Sequence, residues 1–131
     1  PVAARLERLD VSGNPIGSDG LGFLAAAPPF AGLRELAARS YDLPFPYRVH
    51  AEGATALANS FTLRRLRRLD LGGHEVGDAG LMALARSSNM ARLEELDLSE
   101  NDVGGIGATG IEVRTESPHL GRLRSLNLGG N

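Results

Sequence analysis

Five positions at matching points along the chain hold Asp10, Ala37, Asp70, Asp97 and Asn127, and the three aspartates are the first residues to weigh for chemistry. Paired carboxylates can divide general-acid and general-base roles, or hold a cation, when a fold brings them together. A second candidate is Gly105-Ile-Gly107-Ala-Thr-Gly110, which matches the G-x-G-x-x-G spacing that cradles a pyrophosphate. A third is the set His50, His74 and His119, whose positions share no metal-ligand spacing. The 131 residues include no cysteine and no lysine, and all 14 cationic side chains are arginine. Thiolate catalysis, cysteine-ligated zinc, Schiff-base chemistry and a phosphate-loop lysine are therefore excluded. A net charge of −2 is far from the basic balance of a nucleic-acid binder, and no apolar run is long enough for a membrane-spanning helix.

The elements that must position these residues follow from one leucine pattern. It begins at Leu6, Leu33, Leu66, Leu93 and Leu123, at spacings of 27, 33, 27 and 30 residues. Each copy reads L-x-x-L-x-L, as in Leu66-Arg-Arg-Leu69-Asp-Leu71, and sets apolar side chains on one face of a half-buried strand. A turn residue follows (Asn14, Tyr41, His74, Asn101 or Asn131). Next comes a glycine at the mouth of a small-residue helical stretch, such as Gly80-Leu-Met-Ala-Leu84-Ala, with Asp78 placed to cap it. Pro28-Pro29 and Ser117-Pro118 end helical stretches. Units of about 3–29, 30–62, 63–89, 90–119 and a partial 120–131 thus form a single array in which each buries its apolar face against its neighbours. Leucines facing outward at both ends point to a piece of a longer array, and to end-to-end self-association of the piece alone.

Repeats of the form L-x-x-L-x-L-x-x-N-x-[IV]-G-[DS]-x-G-L-x-x-L-A resemble leucine-rich repeats of the ribonuclease-inhibitor-like subtype. Leu66–Gly73 and Ser117–Leu128 are similar to bacterial members from GC-rich genomes. The resemblance implies an α/β solenoid with a parallel β-sheet on the concave side and short helices on the convex side. It also implies a non-catalytic module that binds a protein partner. The absence of cysteine fits a reducing, cytoplasmic setting.

All the length variation falls in the strand-to-helix loops. From turn residue to helix glycine the count is 6 in the first and third units, 12 in the second and 9 in the fourth. Insertions on one rim of a solenoid often form its binding face. The longest, Tyr41-Asp42-Leu-Pro-Phe45-Pro-Tyr47-Arg48, holds both tyrosines and one of the four phenylalanines. Tyr, Phe and Arg between prolines suit an interface anchor, while Leu43 and Phe45 could instead fold back over the edge of the coil.

On the strands, Asp70 and Asp97 are expected about 4.8 Å apart by strand spacing, a column that could attract a basic partner or a cation. The position before the second leucine alternates Arg8, Glu35, Arg68, Glu95 and Ser125, so a compensated charge ladder is the better reading. An open sheet offers neither the pocket nor the raised pKa of a catalytic pair. Gly110 is the fourth helix glycine, and no acidic residue follows at the distance that a ribose needs, so a dinucleotide site is set aside. His74 stands where the family prefers asparagine, and a local hydrogen-bond pair with Tyr41 is expected there. In the fourth unit Arg114 replaces a helix leucine, so an irregular segment is expected with Ile111 and Val113 inward and Arg114 beside Glu112 or Glu116. The sequence thus points to a protein-binding scaffold that contacts its partner through Tyr41, Asp42, Phe45, Tyr47, Arg48, Arg68, Asp70 and Asp97, with no cofactor, metal, nucleic acid or membrane. The alternatives are a regulator of an enzyme, such as a small-GTPase activator, and a structural spacer without its own ligand.

Overall fold

A computed structural model describes residues 5–104 and 117–131. Five short strands lie in one parallel sheet in sequence order: β1 (Arg8–Asp10), β2 (Glu35–Ala37), β3 (Arg68–Asp70), β4 (Glu95–Asp97) and β5 (Ser125–Asn127). Between them run α1 (Gly17–Ala26), α2 (Ala51–Ala58) and α3 (Gly77–Arg86), with 3-10 turns at Pro28–Phe30, Phe45–Tyr47 and Ser88–Met90. Each strand centres on the second leucine of the pattern, so Leu9, Leu36, Leu69, Leu96 and Leu126 stand in register across the sheet. The sheet is open. Its inward leucines meet Leu21, Leu57, Leu81 and Leu84 of the helices, and the interior ones are fully buried. At the two ends Leu6, Leu9, Val11, Leu126 and Leu128 are only partly covered.

Two side-chain ladders fix the registry of successive coils. On the strand-to-helix rim, Asn101 accepts from the Val76 amide at 3.1 Å and donates to the Leu71 carbonyl at 2.6 Å. Asn131 repeats this with Val103 and Leu98. On the opposite rim the hydroxyls of Ser60, Ser87 and Ser117 donate to the carbonyls of Ala25, Ala58 and Ala85, each in the preceding helix. Buried backbone groups that neither helix nor sheet reaches are satisfied in this way.

Two expectations about the helices are corrected. In α1 and α3 the repeat glycine does not open the helix, while Gly53 lies in the first turn of α2. α1 and α3 open at Gly17 and Gly77, whose φ values of 58° and 62° suit glycine, and Gly80 lies a turn further in. A Cβ at Gly80 would stand 2.3 Å from Val76 Cγ1 and 3.1 Å from Ala54 Cβ, so glycine there permits the close approach of α2. Asp78 is not the cap either: Val76 holds that position, and Asp78 lies in the first turn, where its carboxylate accepts from the Gly104 amide at 3.1 Å. The segment around Arg114, and with it Gly105–Gly110, lies outside the described residues.

Candidate functional site

The aspartate column is first a turn device. Asp10, Asp70, Asp97 and Asn127 each end a strand, and each accepts a hydrogen bond from the amide two residues on (Ser12, Gly72, Ser99 and Gly129) at 2.9–3.0 Å. This Asx geometry turns the chain out of the sheet. The i, i+2 pairing of Asp or Asn with Ser or Gly was the available signal for that role. Ala37 is the one member that lacks it.

The ion-pair ladder is present. Arg8 reaches Glu35 at 3.3 Å, and Arg68 lies 3.9 Å from Glu35 and 3.2 Å from Glu95. A parallel row adds Arg34–Glu7 and Arg124–Glu94. Asp70 and Asp97 do stand opposite each other in register, but their neutralising cation is one the sequence did not single out. Arg39, two residues beyond β2, lays its guanidinium across the next coil. Nε donates to Asp70 at 3.2 Å, and Nη2 donates to Asp97 at 2.9 Å and to Ser99 Oγ at 3.1 Å. Its path crosses Gly72, where a Cβ would fall 2.3 Å from Arg39 Cζ. The glycine leaves room for an arginine that serves two coils.

Burial acts to raise the Asp97 pKa, but hydrogen bonds from the Ser99 hydroxyl and amide and from Asn127, with the charge of Arg39, hold it below 3.8. A carboxylate held ionised in this way is no general acid near neutral pH. Because Gly72 is a passage for a flexible side chain, Gly72→Ala should displace the Arg39 guanidinium and cost about 1 kcal/mol. Denaturant midpoints for Gly72→Ala in the wild-type and Arg39→Ala backgrounds check this, since the cost should vanish in the second.

The strands and their turns enclose a concave groove of about 590 Å³, lined along its length by Arg8, Asp10, Ala37, Arg68, Asp70, Asp97 and the leucines between them. Between β2 and α2, the Tyr41–Arg48 loop exposes Tyr41, Phe45 and Tyr47 at 67%, 65% and 47%. Leu43 is half-buried, so the loop divides the outward and fold-back roles between different residues. Arg48 anchors it: Nε donates to the Leu43 carbonyl at 2.9 Å, and Nη1 donates to Glu75 at 3.0 Å. Phe45 packs against His50, with ring centroids 4.9 Å apart. Asp42 is exposed, with φ at 57°. Two further exposed aromatics, Phe23 and Phe61, stand on the helix side, where Arg64 lies over the Phe61 ring.

The expected His74–Tyr41 pair is not formed. Tyr41 leans over Gly13, while His74 is buried and accepts from the Val49 amide at 3.0 Å through Nδ1, its Nε2 lying 2.5 Å from the Ala38 carbonyl. His74 thereby does for its coil what Asn101 does for the next. Burial, the leading cause, lowers its pKa from 6.5. Among the described residues no group of three acidic or histidine side chains is placed to hold a metal ion, and no helix is long and apolar enough to cross a membrane.

The family model described as Leucine Rich repeat matches residues 5–25, 62–85 and 92–111. With the open parallel sheet and the three helices of the described residues, these matches make the fold an α/β leucine-rich-repeat solenoid. The interval between the first two matches holds Ala37, Arg39 and the aromatic loop. No curated protein matches the chain.

Proposed function

We propose that this leucine-rich-repeat protein is a non-catalytic scaffold that holds a protein partner along its concave sheet and against the Tyr41–Arg48 rim loop. Leucine-rich repeats generally mediate protein–protein interaction. The observation that supports the finer reading is an open sheet face whose strand β2 leads, four residues on, into a loop with three exposed aromatics. Such aromatics bring large contact area at little ordering cost, because Pro44, Pro46 and the Arg48 anchor already restrain the loop. Phe45 and Tyr41 serve as anchors in this reading, and Asp42 as a rim contact. Arg68, Asp70 and Asp97 supply the polar surface of the groove.

The test is an affinity capture from the source lysate with three baits. These are the parent chain, a Tyr41→Ser/Phe45→Ser/Tyr47→Ser variant, and a variant whose groove is filled by Ala37→Arg. Loss of the three aromatics should reduce capture about tenfold or more, because anchors of this kind dominate interface energies. Partners held equally by all three folded baits would sink the proposal by placing the contact elsewhere, and folded baits that capture nothing would favour a spacer.

A further inference from the structure

The concave column shows which chemical group it accepts. Between Asp70 and Asp97 it already holds a guanidinium, that of Arg39, gripped by both carboxylates and by Ser99. One step along the sheet the same column is open. Ala37 lies in register between Asp10 on β1 and Asp70 on β3, and its methyl leaves a notch where every other position carries Asp or Asn. Among the described residues no cation is paired in that notch, and Arg39 leans the other way, over Gly72. Asp10 is exposed and makes no ion pair among the described residues. The groove side chains together bear more acid than base: Asp10, Glu35, Asp70, Glu95 and Asp97 against Arg8, Arg68 and the overlying Arg39.

We propose that the groove takes an extended, arginine-bearing segment of a partner protein, one guanidinium of which fills the Ala37 notch against Asp10. This rests on the scaffold reading above and names the chemistry of its partner. A planar guanidinium suits the notch better than an ammonium, because it can pair with a carboxylate through two parallel bonds, and Arg39 shows the neighbouring site built for one. A peptide suits the groove better than a small cation, because the groove runs along all five strands. Hydrogen bonding to Ser12 lowers the pKa of Asp10, so its charge is in place at neutral pH. Docking would add the cation that this end of the column lacks, and bringing opposite charges together under a bound segment favours both encounter and register.

The probe is a fluorescein-labelled peptide alternating arginine and serine, followed by anisotropy, with glutamate–serine and lysine–serine peptides and spermine as comparators. The arginine peptide should bind tightest, and raised salt should weaken it. Asp10→Asn should weaken it about fivefold, and Ala37→Arg, which puts the chain's own guanidinium in the notch, should weaken it more. Asp10→Asn changes an exposed side chain, so its result stands even where Ala37→Arg fails to fold. Unchanged binding in Asp10→Asn, or spermine competing as well as the arginine peptide at equal charge, would overturn the proposal. Failure of the arginine peptide with continued, Ala37→Arg-sensitive capture from lysate would remove the guanidinium assignment and leave the scaffold standing. Binding of the arginine peptide with no capture from lysate by any bait would overturn the scaffold reading, and with it the partner-protein part of the proposal.

Discussion

His74→Ala should destabilise the protein by about 3 kcal/mol, because it orphans two buried backbone groups that cost roughly 1–3 kcal/mol each. The Val49 amide would lose its acceptor, and the Ala38 carbonyl would lose its donor, at a point where one coil stacks on the next. His74→Asn should recover most of the loss, since Asn101 meets the equivalent Val76 amide and Leu71 carbonyl. The histidine also sets a pH dependence. Nδ1 accepts a hydrogen bond, so protonating it breaks the Val49 contact. Burial lowers the pKa, the Ala38 bond opposes that, the Arg48 charge lowers it further, and Asp70 raises it while His50 lowers it. The unfolded chain therefore binds the extra proton first as pH falls. Stability from this group is complete above the unfolded pKa of about 6.5, and declines as pH drops below it toward the folded value. Denaturant midpoints at pH 7.5 and 5.5 should fall in the wild type and move much less in His74→Asn. Equal shifts in the two would place the titrating group elsewhere. Asp97, lowered from 3.8, declines in a separate and more acidic window.

Arg39→Ala should cost about 2 kcal/mol. Its side chain is 23% exposed, and it joins Asp70 and Asp97, which are 35% and 26% exposed. Partial solvation keeps each pair below the value of a fully buried one, but deletion leaves two carboxylates facing each other with their cation gone. Adding Asp97→Asn should restore about half of the loss, because it removes the repulsion and keeps the amide bonds to Ser99. A double-mutant cycle read from denaturant midpoints checks this, and additive costs would mean that the two residues do not couple.

Much of this was legible from spacing. The five leucine copies fix a parallel strand at each second leucine, because only that face can be buried against the next coil. The alternation of Arg8, Glu35, Arg68 and Glu95 forecast ion pairs, because registered strands bring equal positions together. The aromatic loop stood out by its length and composition. Arg39 did not, because nothing local distinguishes it: its partners lie 31 and 58 residues away, and the opening above Gly72 exists only when coils are stacked. His74 was legible as a substitute for asparagine, yet its partners were not, since an imidazole reaches whichever amide and carbonyl the neighbouring coil presents. The serine ladder escaped notice for the same reason. Periodic burial is a property of the chain and can be read along it. The side-chain bonds that lock one coil to the next depend on distances across the stack, and only the folded solenoid sets them.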